Sequence, residues 1–187
     1  MDQREHIERA KRGDHDAFAE LVDVRLARLD AAARLILRDP ELARDAVQEA
    51  LIRAWRDLPG LRDPDRFDGW LQKLTVNACL DLVRRRRRRA FEVELAPLHD
   101  PSTPDFAGAL ADRDAVDQAL RHLDPGHRAV VALHYLLGMP LPEVAATLAI
   151  PLGTAKSRLH YSLATMRASV PPERPSSPNP VAGGQVA

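Results

Sequence analysis

Side chains able to act on a covalent bond or to hold a metal are not spaced for that work in this 187-residue chain. Seven histidines stand at His6, His15, His99, His122, His127, His134 and His160, and no two lie four apart, the spacing that sets a metal-binding pair on one helix face. The single cysteine, Cys79, excludes an internal disulfide and a cysteine zinc site, and reads as a small buried hydrophobe. There is no phosphate-cradling P-loop, no G-x-G-x-x-G and no G-x-S-x-G. The chain is therefore expected to be no enzyme, with no catalytic residue, no metal, no cofactor and no small-molecule substrate. It holds instead the groups that meet a polyanion. "DLVRRRRRRA" places six arginines in a row, Arg84 to Arg89, and "LGTAKSRLHYSLATMR" mixes cations with short hydrogen-bonding side chains. The plainer alternative for the arginine run is a solvated basic helix end.

Composition agrees with a water-exposed globular chain. Hydrophobic residues make up 45% and charged residues 29%, ordinary proportions for such a domain. No apolar run approaches the ~18 residues of a membrane span, and the opening "MDQREHIERAKRGD" lacks the apolar core of a signal peptide. A cytoplasmic protein without direct membrane insertion is expected. The net charge of zero conceals an uneven distribution. Residues 1–90 carry 20 basic and 17 acidic side chains, residues 91–112 none against five, and residues 113–170 six against four. Two slightly basic segments flank an acidic connector.

The elements that must position these groups read as helices throughout. In "DPELARDAVQEALIRAWRDL", Ala43, Val47, Ala50, Leu51, Ala54, Trp55 and Leu58 recur at helical spacing behind an Asp39 cap and Pro40 at the first helical position. Phe18, Leu21, Val22, Leu26 and Leu29 mark an earlier helix; Phe67, Trp70, Leu71, Leu74 and Ala78 mark a later one. Trp55, Phe67 and Trp70 all lie on apolar stripes and read as core. Residues 91–112, with three prolines and no cation, form a flexible acidic linker holding at most a short helix near Phe106. A second helical unit follows over residues 113–170. Val116, Ala119, Leu120 and Leu123 mark one helix; Asp124 caps the next, Pro125 opens it and Gly138 ends it. Residues 171–187, with five prolines, are expected to be a disordered tail.

"LPEVAATLAIPLGTAKSRLHYSLATMR", residues 141–167, reads as two helices joined by a tight break at "AIPLG", a helix-turn-helix. Ala155, Leu159, Leu163 and Met166 face inward. Thr154, Ser157 and Tyr161 fall opposite, with His160 to one side and Lys156 and Arg158 flanking. No acidic residue occurs between Leu152 and Arg167. A base-reading helix needs short polar groups toward base edges, cations toward phosphates and no repelling carboxylates.

This segment resembles the −35-binding region 4 of extracytoplasmic-function (ECF) sigma factors, the group IV members of the sigma-70 family. "ELARDAVQEALIRAWRDL" resembles their region 2 polymerase-binding helix, and "RFDGWLQKLTVNACLDLVRRRRRR" their −10-binding segment. The resemblance covers about residues 10–168. It implies an all-α fold of two domains, region 2 over residues 10–90 and region 4 over residues 113–170, joined by the flexible linker. It also implies partners: core RNA polymerase, through its β′ clamp helices and β flap; promoter DNA; and an anti-sigma factor, which would hold the protein inactive and in some cases at the membrane.

Read through the resemblance, Asp45, Gln48, Glu49 and Arg53 match the face that docks on the β′ clamp helices. Thr154, Lys156, Ser157, Arg158, His160 and Tyr161 match the −35 reader. Asp57 and Leu61 fall at positions selecting a flipped −10 base, with Asn77 supplying an amide. Family members often carry an aromatic where Leu61 stands, so that stacking surface is missing here. Arg84, Arg85 and Arg88 share enough of one helical side to reach promoter phosphates together, since neighbouring residues diverge by about 100°. Pro140 and Pro142 replace the usual cap of the first motif helix, which a helix tolerates in its first turn. The competing reading is a polymerase-independent helix-turn-helix regulator, which would leave "DAVQEALIRAW" and the arginine-ended helix without a task.

Overall fold

The computed structural model describes residues 3–93 and 119–169. The short helix expected near Phe106, the rest of the linker beyond residue 93, Val116 and the proline-rich tail lie outside the described residues. Everything described is helix or turn, with no strand among the described residues. Four long helices make the N-terminal unit: α1 (Gln3–Lys11), α2 (His15–Leu37), α3 (Pro40–Asp57) and α4 (Phe67–Val93). The C-terminal unit holds α5 (Pro125–Val131), α6 (Leu141–Thr147) and α7 (Leu152–Ser169). Helix α4 continues three residues into the segment expected as linker.

Local chemistry sets the breaks. Gly13 turns the chain at φ 93°, and Asp14 then accepts a hydrogen bond from the Ala17 N–H at 3.0 Å to cap α2. Helix α2 ends with Arg38 in the left-handed region, φ 56°. Asp39 at once caps α3, accepting from the Glu41 and Leu42 N–H groups at 3.1 Å each, with Pro40 in the first turn. Two single 3-10 turns, Leu58–Gly60 and Pro64–Arg66, carry the chain from α3 into α4. In the C-terminal unit Asp124 accepts from the His127 N–H at 3.0 Å, as the Asp-Pro pair predicts. One turn of π-helix, Ala132–Leu136, extends α5, and Gly138 at φ 75° stops it. Pro140 occupies the cap position of α6 with no side-chain hydrogen bond.

The break in "AIPLG" is a Schellman ending. The Ile150 N–H bonds back to the Ala145 carbonyl at 3.0 Å and the Ala149 N–H to the Ala146 carbonyl at 3.3 Å. Its pivot, Ala149, sits at φ 52°, where a Cβ crowds the following carbonyl and glycine is favoured.

Two apolar clusters hold the helices. The smaller gathers Ile7, Leu21, Leu29, Leu58, Phe67 and Leu71 where α1 closes the end of the N-terminal unit. The larger is rich in small side chains: Ala32, Ala33 and Ile36 from α2, Ala43, Ala46 and Ala50 from α3, and Ala78 and Cys79 from α4. Alanine stripes let helix axes approach closely. That cluster does not stop at the N-terminal unit. Ala129, Val130, Leu133, Leu137 and Met139 belong to it, so the two units pack together through α2 and α5.

One side chain makes that joint polar. Arg128 is 8% exposed, and its Nε donates to the Ile36 carbonyl at 2.8 Å while Nη1 donates to the Leu123 carbonyl at 2.5 Å. Ile36 lies in the last turn of α2, where carbonyls have no partner within their own helix. Burial lowers the Arg128 pKa to about 10, with the Arg38 charge adding to the effect and Asp124 opposing it. Arg28 adds a more exposed link, donating to the Leu136 carbonyl at 3.0 Å.

Two stability changes are expected. Arg128→Met keeps the stem but strands both carbonyls, and urea unfolding should show a loss of about 1–3 kcal/mol; an unchanged midpoint would mean that water takes the place of the guanidinium. Ala149→Gly relieves the left-handed alanine and should gain about 1 kcal/mol, read as a higher melting temperature.

Candidate nucleic-acid and protein interfaces

Helix α7 presents its expected polar face outward. Ala155 and Leu159 are buried, while Lys156, Ser157, His160 and Tyr161 are exposed and Thr154 and Arg158 half-buried. Ser157 donates its hydroxyl to the Thr154 carbonyl at 3.0 Å, and buried Ser162 donates to the Arg158 carbonyl at 2.7 Å. The exposed side thus offers one free-standing ammonium arm, a hydroxyl able to rotate, an imidazole and a phenol, with no carboxylate on the helix itself. Sequence reasoning missed what lies beside it: the His127 ring packs on Tyr161, with centroids 5.0 Å apart.

Asp45, Gln48, Glu49 and Arg53 do not share one environment. Arg53 donates from Nε to Glu49 Oε1 at 2.8 Å and reaches Asp81 Oδ2 of α4 at 3.4 Å. The Glu49 hydrogen bond, followed by that of Asp81, outweighs partial burial and raises the Arg53 pKa. Asp45, Glu49, Arg53, Asp81 and Arg85 line one small polar cleft between α3 and α4. Gln48 lies on the other side of α3, in a larger apolar groove against α2 of roughly 950 Å³. His15, Phe18, Leu26, Ile52 and Trp55 line that groove. Ile52 is 56% exposed, and the sequence signal for it is an isoleucine off the apolar stripe, beside Arg53. Leu26, assigned to a stripe, is 40% exposed. Trp55 stacks on His15 at 4.3 Å and meets Phe18 edge-on at 5.1 Å, a packing role as expected. Phe67 is fully buried and Trp70 packs against the same cluster.

The residues expected at the −10 element spread over the end of α3, the turn after it and α4. Asp57 closes α3 and pairs with Arg56, Nε to Oδ1 at 2.8 Å, which lowers its pKa and keeps it anionic. Leu61 is 9% exposed and packs in the smaller cluster, so its side chain faces the core and not the surface open to a base. Asn77 is half-buried on α4. Arg84, Arg85 and Arg88 are exposed. Arg84 pairs with Asp81 at 2.5 Å, and Arg86 reaches Asp39 at 3.6 Å.

Fold and surface together define a DNA-binding protein of the helix-turn-helix class, with a second, basic-ended helical unit packed against the first. Two family models match: sigma-70 region 2 over residues 21–89, the basic-ended unit, and sigma-70 region 4 over residues 113–166, the helix-turn-helix unit. The RNA polymerase sigma-E factor of Streptomyces avermitilis is 35% identical over 150 residues, covering 80% of this chain and 83% of the relative. The ECF RNA polymerase sigma factor SigL of Mycobacterium tuberculosis is 35% identical over 150 residues, covering 79% and 85%. Among solved structures, CnrH in complex with the cytosolic domain of CnrY matches with TM-score 0.62 at 29% identity, covering 89% of this chain and 95% of that one. RpoE in complex with the anti-sigma factor NepR from Bartonella quintana has TM-score 0.67 at 23% identity, a likeness of fold, covering 81% and 95%. The chain belongs to the sigma-70 family, as one of its ECF RNA polymerase sigma factors.

Among the described residues no group of histidine, cysteine and carboxylate side chains could hold a metal, and no helix is long and apolar enough to cross a membrane. Cys79 is fully buried in the larger cluster, and burial pushes its thiol up to about 12. The thiolate is the reactive form, and burial holds Cys79 as the unreactive thiol at pH 8. Iodoacetamide should leave Cys79 unmodified in the folded protein and label it fully in urea; rapid native labelling would place the residue in an opening segment.

Proposed function

We propose that this chain binds core RNA polymerase and directs it to promoters, α7 reading the −35 element in the major groove and the N-terminal unit capturing the melted −10 non-template strand. The single observation that carries this reading is the outward face of α7, acid-free and bearing Thr154, Lys156, Ser157, Arg158, His160 and Tyr161 on a helix-turn-helix. Lysine and arginine reach phosphates and set register, while the shorter groups meet base edges. Domain limits at residues 10–90 and 113–170, with a connector over 91–112 and a tail over 171–187, belong to the same reading.

Asp57 and Asn77 serve the captured base, and Arg84, Arg85 and Arg88 hold the phosphates beside it. Leu61, packed inward, contributes by shaping the turn. Asp45, Glu49 and Arg53 meet the β′ clamp helices as a charged set; Gln48 does so from the edge of the apolar groove, where Ile52 and Trp55 add contact area. Charges there fix register and speed association more than they add affinity. The C-terminal unit meets the β flap. The complexes of CnrH and RpoE with their partners support an anti-sigma factor for this chain too. The site of action is the cytoplasm.

Run-off transcription with reconstituted holoenzyme on a genomic promoter pool tests this: specific starts that require the chain are expected, and tight duplex binding by the chain alone without any start would refute it. In the holoenzyme, replacing Arg84, Arg85 and Arg88 together by alanine should lower the slope of log K against log salt by about 2–3, at about 0.7–0.9 per phosphate released. An unchanged slope would show that the run faces solvent.

A further inference from the structure

Helix α5 is held against the reading side of α7 by contacts that the packing of the core does not require. The His127 ring, 21% exposed, sits over Tyr161 at 5.0 Å with the planes tilted by 54°. Its Nδ1 lies 2.6 Å from Asp124 Oδ2, and its backbone N–H donates to Asp124 Oδ1 at 3.0 Å. One aspartate therefore caps the helix and fixes the imidazole. Burial alone would raise the Asp124 carboxyl; its bonds to the His127 backbone and ring hold it below the usual range.

Gly126 stands between these two residues. A Cβ built there would meet Arg158 Nη1 at 3.1 Å and Asp124 Oδ1 at 3.1 Å. The backbone at Gly126 is not in the left-handed region, so glycine is not needed for conformation. Glycine inside a helix is unfavourable relative to alanine. What the missing Cβ provides is room in which the Arg158 guanidinium lies over the first turn of α5. Arg158 and Tyr161 are three apart on α7 and so are neighbours on one side of it.

We infer that the first turn of α5 is a positioning element for DNA reading: His127, tethered by Asp124, sets the ring of Tyr161, and Gly126 leaves the space that sets Arg158. This rests on the reading of α7 as the −35 helix. A phenol held in one rotamer before binding loses less freedom on meeting a base edge, and an arginine guided along a fixed track presents its fork in one orientation. His127 and Gly126 are positioning residues, acting through Tyr161 and Arg158.

The test uses the full chain in reconstituted holoenzyme and a promoter library randomised across the −35 element. His127→Ala, Tyr161→Ala and the double variant are compared by base preference at each position and by melting temperature. His127→Ala should shift preference by about threefold to tenfold at the positions that Tyr161→Ala shifts, and the double variant should add nothing to Tyr161→Ala. Gly126→Ala should change preference or affinity at the positions sensitive to Arg158→Ala. His127→Gln, which keeps a polar side chain without the ring, gives the same shift and stands in should the alanine variant melt early. A preference that moves with Tyr161→Ala but not with either His127 variant overturns the inference while leaving the −35 reading intact; so does additivity in the double variant. If Tyr161→Ala, Lys156→Ala and Arg158→Ala all leave preference unchanged, the −35 reading of α7 falls, and this inference with it.

Discussion

A guanidinium without a carboxylate joins the two halves of this protein. Arg128 enters the shared core and donates to the Ile36 and Leu123 carbonyls, and no acidic group lies within ion-pair distance of it among the described residues. Taking a charge out of water is costly, and the fall of its pKa to about 10 is that cost seen from the proton's side. Hydrogen bonds to carbonyls that would otherwise be dry offset it. The arrangement is directional: Nε is aimed at the Ile36 carbonyl in the last turn of α2 while Nη1 is held by the Leu123 carbonyl just ahead of α5, so α5 meets α2 in one register. Apolar contact among Ala33, Ile36, Leu133 and Met139 is non-directional and would accept a slide that Arg128 does not.

That register decides which surfaces remain open. With α5 committed to α2 on one side, α6 and α7 pack outside it, and α7 turns Lys156, Ser157, His160 and Tyr161 to solvent. On the N-terminal unit the same core draws in the alanine stripes of α2, α3 and α4. It leaves Gln48 and Ile52 over one groove and Asp45, Glu49 and Arg53 over another. The open surfaces here are what remains once the small residues have been used for close packing.

Local chemistry was legible in the sequence. Asp39-Pro40, Asp124-Pro125 and Gly138 specify their helix ends through bonds formed within a few residues, and the structure has each as read. The inward set Ala155 and Leu159 followed from helical period alone. Less local features were hidden. Ala149 carries no sign of a left-handed pivot, because the residue that usually marks one is glycine. Leu61 sits in a proline-rich turn that looks exposed, yet tertiary packing against Phe67 and Leu58 draws it inward. The joint between the units was invisible, since an arginine that bonds carbonyls leaves no pairing pattern to find. Nothing in the spacing of the histidines marks His127 as the partner of Tyr161; that contact exists only once α7 is laid across α5.

The arginine run shows how far a helix can reconcile like charges. Successive side chains diverge by about 100° on α4, so six adjacent guanidiniums spread around the axis instead of stacking along one line. Asp81 takes Arg84 from one turn away, and Asp39, at the cap of α3, takes Arg86. Both pairs involve arginines more than half exposed, 63% for Arg84 and 57% for Arg86, where an ion pair contributes little and is readily exchanged. A backbone phosphodiester carries one negative charge, as each carboxylate does, but a strand presents a row of them and releases condensed counterions on binding, so a nucleic-acid backbone at α4 would compete well for these arginines. The cluster is thus tolerated in the free protein without being neutralised for good. Its geometry explains why the chain holds six consecutive cations at a net charge of zero.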